Sequence, residues 1–169
     1  MEFLKSRKGA ALITAVVVVF SVLFGSARSL SQVREEAMQV FEQGVSGDLE
    51  ARQSVCANLY TVAQRYLDPG TMGDFPRLLG ELEHGDLWRS TELDSSARLL
   101  IVQLQSMDLT EQDAKYLAGF RQELDSRAFS IAHDPYTAMA QEFNTVTLTA
   151  FPANILHTLT GVDPLPVYY

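Results

Sequence analysis

Hydrophobic and polar positions sort this chain into one long apolar run followed by a series of helical stripes. The run is Gly9 to Ala27, nineteen residues without a charge between Lys8 and Arg28. As a helix it extends roughly 28 Å, close to the ~30 Å hydrocarbon core of a bilayer. Ten of its residues are Leu, Ile, Val or Phe. Together they favour insertion by roughly 3 to 6 kcal/mol.

Beyond the run, apolar residues recur at spacings of three and four, the mark of helices with one inward face. Ser29 to Gln43 continues the first helix, with Val33, Ala37, Val40 and Phe41 on one side and Arg34, Glu35 and Glu42 on the other. Gly44 and Gly47 interrupt it, and Asp48 is an N-cap candidate for the next helix. That helix, Leu49 to Leu67, carries Val55, Leu59, Val62 and Tyr66, and Asp68, Pro69 and Gly70 end it. Pro76 opens a short helix with Leu78, Leu79 and Leu82, which Gly85 ends; Trp88 reads as a packing residue near the end of the bundle.

Ser90 to Met107 follows, with Leu93, Ala97, Leu100, Leu104 and Met107 inward. Thr110 starts a helix to about Ala132, Asp113 standing at the capping-box position and Ala114, Leu117, Leu124, Ala128 and Ile131 inward. Asp134 and Pro135 form an N-cap and N1 pair opening a last long helix through Ala150. Its stripe is Tyr136, Met139, Ala140, Phe143, Val146 and Ala150. Pro152 breaks or restarts it, and a short segment to Thr160 stops at Gly161. No stretch alternates as a strand does. The predicted class is all-α: a transmembrane helix leading into an antiparallel bundle of about four long helices.

Length and charge place that bundle. At 169 residues the chain divides into a basic segment 1–8, a signal anchor 9–27 and one domain 28–169. Lys5, Arg7 and Lys8 precede the run, whereas the domain holds 10 Lys+Arg against 20 Asp+Glu. So acidic a surface is a poor nucleic-acid binder and is repelled by anionic lipid except close to its own anchor. Cations before the run outnumber Arg28 and Arg34 after it, which favours a cytoplasmic N-terminus and a domain outside a cell membrane. The same 27 residues also resemble a secretory signal with Gly25 and Ala27 as the small residues before a cut, which would release a secreted helical binding protein. A pilin-like leader fits less well, because Thr14 stands where pilins usually carry Glu.

Chemistry is sparse. Cys56, the one cysteine, excludes an internal disulfide and multi-cysteine zinc sites, and reads as a small buried helix residue. His84, His133 and His157 form no HExxH pair; His84 with Glu81, Glu83 and Asp86 reads as a solvated acidic loop. Glu35 and Glu36 read as a solvated face. There is no GxSxG, phosphate-cradling glycine loop or activated thiol. The expectation is no enzyme, no cofactor, no metal and no small-molecule substrate.

The end of the chain is more specific. Tyr136 to Tyr169 resembles the C-terminus of the LemA family of bacterial membrane proteins. That family shows a Tyr-Asn pair, a second one seven residues on, a Phe-Pro-x-Asn, a Gly-Phe and a terminal aromatic. Here these correspond to Tyr136-Thr137, Phe143-Asn144, the intact Phe151, Pro152, Ala153 and Asn154, Gly161-Val162, and Tyr168-Tyr169. The resemblance implies a divergent member with one membrane helix, a helical bundle and no established enzymatic activity. Physically these residues read as structural: Pro152 turns the chain, Asn144 and Asn154 satisfy freed backbone groups, and Phe143 and Phe151 pin the terminal segment. The function expected is a single-pass scaffold or adaptor, held in the bilayer through residues 9–27 and binding another membrane or envelope protein.

Overall fold

A computed structural model describes residues 7–83 and 90–168, with side chains placed for 14–81 and 90–168. His84, Gly85, Asp86, Trp88 and Tyr169, all singled out above, lie outside the described residues, as does the side chain of Leu82. Seven α-helices follow in order: α1 Arg7–Gln43, α2 Val45–Ala63, α3 Phe75–Glu83, α4 Ser90–Gln105, α5 Glu111–His133, α6 Pro135–Glu142 and α7 Ala153–Thr160. A 3-10 turn covers Pro69–Thr71 and a π turn covers Phe143–Thr147. Among the described residues there is no strand. The described parts of the chain form two compact units, one from Met1–Met38 and Met139–Leu165, the other from Gln39–Ala138 and Pro166–Tyr169.

The larger unit is a helical bundle in which α2 packs on α5, α4 and α3, and α4 packs on α3 and α5. Its core joins Cys56, Leu59 and Ala63 of α2 to Phe75 and Leu79 of α3, Leu93, Ala97, Leu100 and Leu104 of α4, and Leu117 and Leu124 of α5. The inward face of α2 is Leu49, Arg52, Cys56, Leu59, Val62 and Ala63. It lies one position round from the expected stripe, and Val55 and Tyr66 only flank the core. Ala114 and Met107 face solvent.

Helix ends follow local chemistry where the sequence is explicit. Thr110 caps α5, its hydroxyl accepting from the Asp113 N–H at 3.1 Å. Asp113 does not return the bond to the Thr110 N–H, which donates instead to the Tyr66 hydroxyl at 3.2 Å. Asp134 opens α6 by accepting from the Tyr136 N–H at 2.8 Å, two residues on. Asp48 is not a cap. Helix α2 begins earlier, after Gly44, and Asp48 lies within it, bonded to Arg127 of α5 at 2.8 Å.

The last helix is not continuous to Ala150. It opens into the π turn, where the Leu148 N–H reaches back to the Phe143 carbonyl at 2.9 Å. Threonines explain the change. The Thr145 hydroxyl bonds the Gln141 carbonyl and the Thr149 hydroxyl bonds the Thr145 carbonyl, both at 2.7 Å, competing with the helix ladder for its acceptors. A cis Phe151–Pro152 peptide follows. Helix α7 then ends on Gly161, whose φ of 68° is the left-handed conformation a helix stop prefers.

Candidate functional site

Helix α1 presents its apolar run outward. From Val16 to Val19, and at Phe20, Val22 and Phe24, the large side chains are exposed, Phe24 to 74%. Only 6% of the most apolar window of α1 is buried. A core helix of a soluble protein would be covered. This helix is long and apolar enough to cross a membrane, and it continues as helix through Ala27.

In the same unit, Gly25, Ser26, Ser29, Leu30 and Val33 of α1 line a groove together with Val146, Thr147, Ala150 and Ala153. Residues 146–153 therefore run beside the stretch where the apolar run gives way to charge. Here stand six of the residues singled out by the resemblance. Phe143 is buried, and Asn144 brackets the main chain of Leu165 with two hydrogen bonds, its Nδ2 donating at 2.7 Å and its Oδ1 accepting at 2.8 Å. Gly161 stops α7, and Pro152 sits at its N-cap. Phe151 departs from expectation: it is 79% exposed among the described residues. The Asn154 side chain is exposed too, and its backbone N–H bonds the Ala150 carbonyl at 2.9 Å. Near the far end of the segment, the Arg34 Nε donates to the Asp163 carbonyl at 3.2 Å.

The seventh, Tyr136, belongs to the larger unit. It is fully buried, donates to the Pro166 carbonyl at 2.7 Å, and packs on Phe41 with ring centres 5.1 Å apart. Phe41 also stacks on Tyr168, and burial raises the pKa of that phenol. These contacts fit a structural role.

Three further places carry polar or titratable groups. The first is a buried polar cluster of Arg52, Asp94, Ser90 and Cys56. Arg52 Nη2 lies 2.9 Å from Asp94 Oδ1, close enough for charge attraction but out of line for a hydrogen bond. Asp94 has its other oxygen bonded to Arg98 Nε at 2.9 Å. Burial, with the Asp94 charge adding to it, pushes the Cys56 thiol up to about 12, so it is not an activated nucleophile. The space beside the cluster is about 10 Å³, room for one water molecule and no substrate.

The second is an open groove of about 640 Å³ between the Thr71–Asp74 turn, α3 and α4. Arg77 on its wall pairs at the surface with Glu81 at 2.7 Å and with Asp74 at 3.5 Å, and Glu92 of α4 is the other charged side chain lining it. The third is the pair of described histidines. His133 stacks on Phe129 at 4.0 Å, and His157 sits in α7 of the other unit. No cluster of three or more His, Cys, Asp or Glu suited to a metal exists among the described residues.

Sequence reasoning misses one signal in the segment beside α1. From Phe143 to Val162, twenty consecutive residues carry no Asp, Glu, Lys or Arg. The helical stripe of Phe143, Val146 and Ala150 reads as core and conceals it. Yet Val146, Phe151, Ile155 and Leu159 are exposed. The chain matches no family model, no curated protein and no solved structure.

Proposed function

We propose that this chain is a single-pass membrane protein, a divergent LemA-like one, whose helical bundle serves as a non-enzymatic scaffold or adaptor for another membrane or envelope protein. The observation that carries the reading is the outward-facing apolar surface of α1, covered by nothing in its own unit. The unbroken helix through Ala27 favours retention over cleavage. Three cations before the run favour a cytoplasmic N-terminus and an extracytoplasmic bundle. The adaptor role is supported by the bundle's filled apolar core and by its lack, among the described residues, of a convergent acid–base or nucleophile set.

The experiment is alkaline extraction of membranes followed by N-terminal sequencing of the retained protein, then crosslinking in native membranes to identify what it touches. Full-length chain in the extracted pellet, crosslinked to a membrane or envelope protein, is the expected result. A soluble chain beginning at Arg28 overturns the anchor. Turnover of a small molecule by the purified protein overturns the non-enzymatic reading.

A further inference from the structure

The exposed apolar side chains after the π turn have a definite geometry. Ile155 and Leu159, four residues apart in α7, share one exposed face, Phe151 is exposed in the turn that leads into the helix, and Leu156 is buried. Leu159 is 75% exposed, and Val146 adds a fourth exposed side chain. Ala150 and Ala153, which flank Phe151, line the groove with Gly25 and Ser26 of α1, where the apolar run of that helix ends. We propose that this face is a second membrane contact, lying in the interface of the bilayer that α1 crosses, with Phe151 at its leading edge. The inference rests on the anchor reading above.

Three observations favour lipid as the occupant. The first is continuity: an exposed apolar face beside the end of an exposed apolar helix extends one surface rather than making a second. The second is charge. The domain after Arg28 has 20 acidic residues, which an anionic lipid surface repels, yet none falls between Phe143 and Val162. The third is the state of three of its hydroxyls. The hydroxyls of Thr145, Thr149 and Thr160 each bond a carbonyl of their own segment at 2.7 Å, on Gln141, Thr145 and Leu156. Polar groups already satisfied within the segment lose little on leaving water. Interfacial helices bury an apolar face roughly 5–10 Å into the boundary between headgroups and acyl chains. Phe, Ile and Leu on a segment without Asp, Glu, Lys or Arg suit that depth.

The test uses the full chain in vesicles whose lipids carry bromine either near the headgroup or near the chain end, with tryptophan emission as the reading. Trp88 is replaced by Phe to clear the background, and single variants Val22→Trp, Phe151→Trp, Leu159→Trp and Leu99→Trp are compared. All four positions are exposed, so each variant keeps the fold; Ile155→Trp serves as a further probe of the face. Loss of emission is expected for Phe151→Trp and Leu159→Trp, greater for Phe151→Trp and greater with headgroup-side bromine. Leu99→Trp, in the larger unit, should keep its emission. If Val22→Trp is quenched but the three α7-face variants are not, the interfacial proposal is overturned while the anchor stands. Blue-shifted α7-face emission without quenching identifies a protein covering and likewise overturns it. No quenching at Val22→Trp overturns the anchor reading itself, and the proposal with it.

Discussion

The side-chain amide of Asn144 occupies both main-chain polar groups of Leu165, donating to the carbonyl at 2.7 Å and accepting from the N–H at 2.8 Å. An amide does here what a neighbouring strand would do, in a segment of no regular structure. Asn144→Leu removes both bonds at once and leaves two backbone groups beside an apolar side chain. The expected cost is about 1–3 kcal/mol. Thermal unfolding of the full chain in detergent should register it, and carboxypeptidase should trim the tail faster. Asn144→Asp keeps the acceptor but turns a carboxylate on the Leu165 carbonyl, so it should not rescue. Unchanged unfolding and trimming in both variants would rule out the bracket.

Gly44 offers a second point of leverage. A Cβ built on it collides with the Asp134 carboxylate, the group that accepts from the Tyr136 N–H at the start of α6. Gly44→Ala therefore displaces a helix cap, with an expected loss of about 0.5–2 kcal/mol. Removing the cap first tests the mechanism. In an Asp134→Ala background, Gly44→Ala should cost little, because the clash and the bond it breaks are both gone. Equal costs in the two backgrounds would contradict this account.

How much of this was readable beforehand depends on the range of the interaction. Beside the long apolar run, signals spanning about one helical turn were legible: the Thr110 cap, the Asp134–Pro135 start and the stop at Gly161. Each is decided by residues within a few positions. Polar residues that turn inward were not legible, because their partners lie on other helices. Asp48 looks like a cap until Arg127 is seen 2.8 Å away, and Arg52, which no local pattern singles out, meets Asp94 only through α4. Phe151 failed for a related reason. An aromatic beside a proline reads as an anchor for packing, and only the fold reveals that nothing of its own unit covers it.

The Arg52–Asp94 pair yields an asymmetric prediction. Asp94 retains Arg98 if Arg52 is lost, and Asp48 retains Arg127. Arg52, 4% exposed in its side chain, loses its closest counter-charge if Asp94 is lost. Asp94→Leu should therefore cost about 3–5 kcal/mol, the penalty of an uncompensated buried charge. Arg52→Met should cost well under that, since its stem is replaced by a similar apolar volume. The double variant should fall near Arg52→Met alone. Chemical denaturation of the four proteins reads the cycle, and equal single costs would refute the asymmetry.

Asp113 sets the response to acid. The Tyr66 hydroxyl, at 2.6 Å, is the largest influence on its carboxylate. Thr110 at 2.9 Å and Arg65 at 2.7 Å add to it, and together they overcome burial and hold its pKa below the ordinary 3.8. A folded value below the unfolded one means that the unfolded chain takes up the proton first. The stabilisation is thus complete well above pH 3.8 and drains away as pH falls through it toward the lower folded value. Asp48 shifts the same way: burial opposes its charge, but bonds from Ser130 and Arg127 and the nearby cations outweigh that. Asp113→Asn should therefore be less stable than the parent at pH 7, and the gap should close as pH falls below 4. The acid limb that remains should flatten further in Asp48→Asn. Melting temperature against pH for parent and variants is the measurement. A gap that stays constant from neutral to pH 3 would mean that Asp113 contributes shape rather than charge, and the ionic account of this helix start would be wrong.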